Sequence, residues 1–206
     1  MRLPLWLPLW LRSRLPGFRP PPPRWAHLAE PYDGDEVVVV DCETSQFDRK
    51  NGQLLSLAAV VVRGQRIRLN GALDLMVDSD ARTDPDAVRV HYLRREDRRS
   101  GVSAAEAVER FLDFVGNRPI CGFYIEYDRA ILNRYIRELY DFDLPNRFIE
   151  VSELYVRRKR RYIPEVNLDL TFEGLAKDLD VPVIERHTAL GDVVSTALMY
   201  IKLRHF

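Results

Sequence analysis

The sequence is poor in cysteine, with Cys42 and Cys121 the two among 206 residues. Both lie in apolar runs and follow no metal or disulfide spacing, which argues against a disulfide scaffold and against a thiolate-bound zinc. We therefore expect them to be small buried hydrophobic residues of a protein in a reducing, cytoplasmic compartment.

The sequence also lacks an excess of charge of either sign. Lys plus Arg and Asp plus Glu number 31 each, so the net charge gives no indication of a nucleic-acid partner. A local basic patch would still suffice to bind a polyanion. The densest basic run, RRKRR at 157–161, fits a solvated helix end and a phosphate-binding patch about equally well.

No apolar run is long enough to span a membrane, and the one near the N-terminus is interrupted by Pro4 and Pro8. Residues 1–34 are basic, and the PPPP stretch at 20–23 predicts a stiff extended linker. We assign residues 1–34 to an arm and residues 35–206 to one domain. We favour an arm that covers its own domain or lacks fixed structure. The alternative is an arm that docks a protein, a nucleic acid or a membrane surface.

The domain is long enough for a sizeable core, and its patterns alternate between strand and helix. A β-branched run at 36–41, two apolar segments joined as a hairpin at Arg63–Gly64, and the run at 119–124 predict strands. Ser103 and Glu106 have capping-box spacing before a helix. Further helices are predicted at 127–140, after a possible cap at Asn167, and at 189–203. The pattern indicates an α/β domain with a mixed sheet flanked by helices.

Two carboxylates stand at the end of the first predicted strand, in VVVVDCETS at 37–45. Residues i and i+2 of a strand point to the same side, so Asp41 and Glu43 project together and Cys42 faces away. Close carboxylates repel each other and are costly to desolvate, and a divalent cation resolves this conflict. Oxygen ligands without paired thiols favour Mg²⁺ or Mn²⁺. By themselves, the two acids fit a solvated strand end better than a metal site.

Two later segments carry further acids. Asp128, in GFYIEYDRAIL, lies one helical turn before Ile131 and Leu132 and so on a core-facing side, where it either caps the helix or needs another partner. In HTALGDVV, His187 precedes the last predicted helix and Asp192 lies in its first turns. A lone histidine in this position is usually a capping or surface residue.

The order D-x-E, D, H-x4-D resembles the DEDDh group of 3′–5′ exonucleases, also called DnaQ-like, which includes the proofreading epsilon subunit of bacterial DNA polymerase III, oligoribonuclease-like enzymes and RNase T. VVVVDCETS is similar to the first motif of that family, CGFYIEYDRAIL to the second and RHTALGDVVSTALMY to the third. The resemblance extends from about Glu36 to Leu203 and implies an RNase H-like fold.

The resemblance implies a metal-dependent 3′–5′ exonuclease that acts on single-stranded 3′ ends, with DNA favoured over RNA, and releases 5′-mononucleotides. It implies that four acids bind two Mg²⁺ or Mn²⁺ ions, namely Asp41, Glu43, Asp128 and Asp192. It also implies that His187 is the general base. It also suggests substrate contacts from the first motif, the VHYL stretch and the second motif: Thr44, Ser45, His91, Leu93, Phe123 and Tyr124. His91 fits a surface loop residue about as well.

The flanks of the motifs depart from the family pattern, since Ser45 and Gln46 follow Thr44 where the family commonly continues T-T-G. A catalytically silent binding module of the same fold is therefore one alternative, although all five catalytic positions are intact. The other alternative is a polymerase-associated proofreading subunit in DNA replication or repair, with the arm as its docking element.

Overall fold

The computed structural model describes residues 19–162 and 167–205, and they contain a five-stranded mixed sheet. The strands are β1 (Glu36–Thr44), β2 (Leu54–Arg63), β3 (Arg66–Met76), β4 (Ile120–Gly122) and β5 (Phe148–Glu150), in the order β3-β2-β1-β4-β5. The β1, β2 and β3 strands are antiparallel, whereas β4 and β5 continue the sheet in parallel from β1. The mixed α/β sheet predicted from the sequence is thereby confirmed.

Seven α-helices surround the sheet in the described ranges. They are α1 (Pro85–His91), α2 (Arg95–Arg98), α3 (Ala104–Val115), α4 (Ile125–Tyr140), α5 (Val151–Arg160), α6 (Phe172–Asp178) and α7 (Ala189–His205). Ser103 accepts a hydrogen bond from the backbone of Glu106, as the predicted cap of α3 requires. None of the helices in these ranges is long and apolar enough to cross a membrane.

The valines of β1 divide the core into two layers because alternate residues of a strand face opposite sides. Val38 and Val40 pack with α3 and α4, while Val37 and Val39 pack with α5, α6 and α7. With both faces covered, β1 is the central strand and has almost no exposed apolar surface. Its last residues, Asp41 to Thr44, are thus held rigidly where the core ends.

Three local predictions differ from the structure. The cap before α6 is Thr171, whose hydroxyl accepts from the Gly174 N–H at 3.1 Å, and not Asn167. The prediction missed α1 and α2, which are short, and β5, which has three residues, and of α5 it proposed only a possible helix end at 157–161. Short elements carry too few periodic positions to give a pattern, so their conformation depends on tertiary contacts.

Part of the basic arm belongs to the packed structure. Pro23 begins a 3-10 helix, Pro23–Ala29, so the extended linker predicted for 20–23 stops one residue early. Trp25 is buried against Tyr140, with 4.7 Å between ring centroids, and its Nε1 donates to Asp113. Arg24 pairs with Glu109 and Asp113. The arm upstream of residue 19 lies outside the described residues, and the domain boundary at residue 34 remains a prediction.

Candidate active site

The site begins at the carboxyl end of β1. Asp41 and Glu43 point to the same side of the strand and are half-buried, as the i, i+2 spacing predicts. Asp41 pairs with Ala58 and Glu43 with Ser56 in the register with β2, and the register shifts directly after Glu43. Regular pairing with β2 therefore fixes the direction of both side chains, and this regular pairing ends directly after Glu43.

The last helix brings a third carboxylate to this strand end. Asp192 lies in the first turn of α7, is 5% exposed and packs where α7 crosses β1 and β2. Ligand oxygens of Asp41, Glu43 and Asp192 all lie within 4.8 Å of one another. Residues separated by about 150 positions in the chain thus form one acidic cluster.

Asp128 lies beside this cluster but is engaged differently. It is 3% exposed, and its Oδ1 accepts a hydrogen bond from the Cys42 N–H at 2.9 Å. It does not cap α4, whose N-cap position is Tyr124 without a side-chain cap bond. The second motif is therefore tied to the backbone between the two acids of the first, so that α4 and β1 are held together at the site.

Burial raises the pKa of every one of these acids. Desolvation, reinforced by the Asp192 charge, raises the pKa of Asp41 to about 7. Desolvation and the charge of Asp41 raise the pKa of Glu43 to about 9. The pKa of Asp128 is well above its usual range because the group is buried and faces Asp41. The cluster therefore holds protons at neutral pH unless a cation compensates its charge.

The cation that the structure places at the cluster is Arg186, which no sequence pattern indicated. Its guanidinium pairs with Asp192, donates from Nε to Glu173 at 2.9 Å, and stacks on the Phe172 ring at 4.1 Å. It lowers the pKa of Asp41 and Glu43, although burial outweighs its effect. A cation directly before the motif histidine was the available signal, but the many arginines of the sequence obscured it.

His187 lies next to Arg186 at the entrance to α7. It is half-buried and adopts a left-handed backbone conformation, with φ of 69°. Its charge acts on Asp192 and also on His91, whose pKa is lowered chiefly by burial. The imidazole therefore lies within electrostatic range of both the acidic cluster and the loop after α1.

The six predicted substrate contacts have unequal access to a ligand. The hydroxyls of Thr44 and Ser45 are buried and bonded within the fold, to the Gln46 carbonyl and the Gln53 N–H. His91 is buried too, and its Nε2 lies 3.2 Å from the Thr44 carbonyl, so it is not a surface loop residue.

The remaining three contacts are more accessible. Leu93 is half-buried, and its N–H donates to the His91 ring. Phe123 packs edge-to-face on Phe172 at 5.1 Å. Tyr124 is 62% exposed, which makes it the most accessible of the six predicted contacts.

A further positioning contact, which was not predicted, joins the end of β5 to the first turn of α4. Glu150, at the end of β5, accepts from the Ile125 N–H through Oε2 and from Ser152 through Oε1. It therefore satisfies a free N–H in the first turn of α4, three residues before Asp128. The sequence gives no signal for this contact, because Glu150 lies in a strand of three residues and its partner is 25 positions away.

The donor set fits a hard divalent cation. Asp192 Oδ1 is buried without a hydrogen-bond partner among the described residues, and such an atom is costly unless a cation or a donor reaches it. The clustered ligand atoms are all carboxylate oxygens, which Mg²⁺ and Mn²⁺ accept and which a structural zinc site seldom uses alone.

Without added metal, the protein is expected to lose stability as the pH rises from 5 to 9. The pKa of Asp41 and of Glu43 is raised from ordinary values of about 4 in the unfolded chain. In this window the folded state holds protons that the unfolded state has released, so deprotonation favours unfolding. We expect the free energy of unfolding to fall by about 2 kcal/mol across this range. The full conversion of ~1.4 kcal/mol per pKa unit would give a larger loss, but both side chains are partly exposed, and solvent screens the effect.

Urea unfolding in EDTA at pH 5, 7 and 9 measures this loss, and Mn²⁺ at pH 9 should reverse it. The Glu43→Gln variant serves as the control, because an amide carries no titrating proton, so the profile should keep only the smaller slope that Asp41 contributes. A stability that is level across this range in the parent protein would contradict the prediction.

Comparisons with known proteins agree with this geometry. A family model described as Exonuclease matches residues 38–200. An oligoribonuclease of Paracidovorax citrulli is 34% identical over 170 residues, which cover 76% of this chain and 81% of that protein. An oligoribonuclease of Streptomyces griseus is 28% identical over 141 residues, covering 62% of this chain and 70% of that protein.

Solved structures share the fold at low sequence identity. E. coli exonuclease I in complex with a dT13 oligonucleotide superposes with a TM-score of 0.71 and 16% identity, over 83% of this chain and 41% of that one. A zinc-bound E. coli exonuclease I complex with single-stranded DNA gives 0.72, with 16% identity over 84% of this chain and 41% of that one. This chain thus spans about two fifths of exonuclease I, and the likeness shows an RNase H-like exonuclease fold.

Proposed function

This chain belongs to the DnaQ-like 3′–5′ exonuclease family, and from that premise we propose that it hydrolyses short single-stranded oligonucleotides from their 3′ ends with divalent metal. The observation that carries the proposal is the cluster of Asp41, Glu43 and Asp192, within 4.8 Å, together with the unpartnered buried oxygen of Asp192. A solvated strand end would have exposed acids and ordinary pKa values, and these acids have neither.

In this proposal Asp41, Glu43 and Asp192 hold Mg²⁺ or Mn²⁺, with Asp128 as the fourth acid at the edge of the site. Two bound ions would supply charge neutralisation at the phosphate and a more acidic water. His187 accepts the proton of the attacking water, and its position beside the cluster supports that role. The bond to the 3′-terminal nucleotide breaks, and a 5′-mononucleotide is released.

The preference between RNA and DNA is proposed from the names of the relatives. The two described above are named oligoribonucleases, which supports short RNA as the first substrate to test. The preference for DNA expected from the sequence remains a prediction without support from those names. Exposed Tyr124, at the N-terminus of α4, offers a ring on which a base of either polymer could stack.

The alternatives from the sequence have less support. A silent binding module would have no use for several buried like charges, whose desolvation is costly. Docking of a polymerase through the arm has no support from the comparisons, and Arg24 and Trp25 bind the protein's own domain. A place in replication, repair or proofreading, and the resemblance to the epsilon subunit, remain predictions.

The experiment that tests this proposal uses 5′-labelled RNA and DNA heptamers with Mg²⁺, with Mn²⁺ or with EDTA. A ladder that shortens from the 3′ end with metal and stops in EDTA is the expected result, with faster turnover of RNA. A matched heptamer with a blocked 3′ end should resist degradation. Intact heptamers of both polymers in Mg²⁺ and in Mn²⁺ would rule out the proposed function.

A further inference from the structure

A basic cleft lies on the outer face of α4, on the side of the helix turned away from Asp128. It has a volume of about 560 Å³, within the range of about 300–1,000 Å³ that is usual for small-ligand sites. Arg129, Asn133 and Arg137 line it from α4 at helical spacing, and Arg49 and Lys50 line it from the β1–β2 loop. The proposed function does not use this cleft.

The charges that line the cleft do not cancel. Five cations and two acids line it, although the whole chain has no net charge. Both acids already face cations of the cleft, since Glu126 pairs with Arg129 at 3.2 Å and Asp143 with Arg137. Arg49, Lys50 and Arg134 therefore add positive charge that no acid lining the cleft balances.

Asp48, on the same loop, offsets this charge in part. Its carboxylate accepts from the Lys50 N–H at 2.9 Å and from the Asn51 amide, which lowers its pKa. Those two bonds, one to the backbone and one to a side chain, hold Asp48 to its own loop, and the cations of the cleft still outnumber its acids when Asp48 is included. The cleft consequently keeps a local positive potential that an anionic ligand can use.

The loop that carries Arg49 and Lys50 is held in place. Arg134 donates from its guanidinium to the Lys50 and Gly52 carbonyls. At Gly52 an added Cβ would lie 2.7 Å from the Gln46 carbonyl and 2.8 Å from that of Asp48, so the loop closes tightly on itself there. A fixed loop costs a ligand less ordering entropy than a flexible one.

The same loop joins the cleft to the acidic cluster. It leaves β1 directly after Glu43 and Thr44. The hydroxyls of Thr44 and Tyr127 lie 2.6 Å apart, and each oxygen lies within hydrogen-bond distance of the Gln46 carbonyl, at 3.0 and 2.9 Å. Tyr127 and Arg129 flank Asp128 on α4. One loop and one helix therefore position both the cluster and the cleft.

We propose that this cleft binds the phosphodiester backbone of the oligonucleotide on the 5′ side of the bond being cleaved. The inference rests on the proposed function, since it assigns a second contact to the same strand. Phosphates are recognised by arginine and lysine without readout of base sequence, so the cleft would lengthen the grip on the substrate and add no sequence preference. Dinucleotides would be too short to use it.

The test compares the parent protein with an Arg49→Glu/Lys50→Glu variant, whose changes lie on exposed loop side chains. Fluorescence anisotropy in EDTA measures binding of a labelled 12-mer at several salt concentrations. We expect the variant to bind about tenfold more weakly at low salt, with a salt slope smaller by at least about 1.4, or ~0.7 for each lost phosphate contact. With metal, kcat/KM should fall for the 12-mer and stay unchanged for a dinucleotide.

An Arg66→Glu/Lys177→Glu variant is the matched control, since it makes the same charge change on exposed residues of β3 and α6 that do not line the cleft. An equal loss in this control would mean diffuse electrostatics and would overturn the cleft assignment. Unchanged 12-mer binding by the loop variant, or an equal loss of kcat/KM on the dinucleotide, would also overturn the assignment. So would a loop variant that binds a labelled acidic peptide more weakly than the parent does and keeps the parent's affinity for the 12-mer. If the parent degrades neither length, the proposed function fails, and the anisotropy measurement still decides the cleft.

Discussion

The Asp41→Asn variant is expected to lose at least about 10³-fold in kcat on an oligonucleotide in Mg²⁺, equivalent to roughly 4 kcal/mol of transition-state stabilisation. Asparagine keeps the shape of the side chain and the β1 ladder, but it removes one of the three clustered charges that would hold the cation. The cluster would then have two carboxylates, Glu43 and Asp192, and one of these is already paired with Arg186.

The same variant should be more stable than the parent in EDTA. Burial and the Asp192 charge raise the pKa of Asp41, which means that its charged form destabilises the fold. Removing that charge at pH 8 should raise the melting temperature by about 2–4 °C, the shift for roughly 1 kcal/mol in a chain of this size. Lower activity with higher stability is what distinguishes a functional acid from a structural one.

The control is Asp74→Asn, an exposed aspartate on the same rung of the sheet. Asp41 pairs with Ala58, and Ala58 pairs with Asp74, so this residue lies two strands away, at about 10 Å. It should keep its activity, and its melting temperature should rise by less than that of Asp41→Asn, because desolvation also raises the pKa of Asp74 but no neighbouring acid adds to that effect. Full activity of Asp41→Asn, or a lower melting temperature together with a loss of secondary structure, would remove Asp41 from the proposed site.

The His187→Asn variant should lower kcat by about 10²–10⁴-fold, the usual contribution of a general base. Asparagine is the sharpest choice because His187 has a positive φ of 69°, and asparagine is the non-glycine residue that best tolerates this conformation. The substitution therefore removes the proton acceptor while keeping the turn into α7. Alanine at this position would combine the chemical loss with backbone strain.

The loss should be confined to kcat. KM and the affinity for Mn²⁺, measured by titration calorimetry, should stay within about twofold of the parent, because the three clustered carboxylates are unchanged. His27→Asn, on the exposed side of the 3-10 helix, is the control and should behave as the parent does. A weaker Mn²⁺ affinity in His187→Asn would instead make His187 a metal ligand, and an unchanged kcat would exclude it as the base.

Much of this protein was predictable from local patterns. The valine run of β1 ends in acids at i and i+2, and this spacing alone places Asp41 and Glu43 on one side of the strand. The hairpin of β2 and β3, the cap at Ser103 and the core face of α4 follow from equally local signals. The order of the motifs then predicted Asp128, His187 and Asp192 as further site residues, because three spaced motifs together are far more specific than any one of them.

The contacts between distant segments were decided by tertiary structure alone. Asp128 could have been a helix cap, but its carboxylate binds the Cys42 N–H, a partner 86 positions away. His91 could have been a surface residue, but it is buried against the Thr44 carbonyl. Sequence patterns report which face of an element is apolar, and they carry no information on which polar group of another element will meet it.

The same limit applies to charge. The composition gave a net charge of zero, and RRKRR was the visible basic run. Folding placed Arg186 on the acidic cluster and gathered Arg49, Lys50 and Arg134 from two segments into one cleft. The sequence by itself determined which reactive side chains β1 and α7 present, because the directions of neighbouring residues are fixed within one strand or helix. The tertiary structure determined which charges meet and which are buried, because pKa values and ion pairs depend on distance and desolvation across the fold.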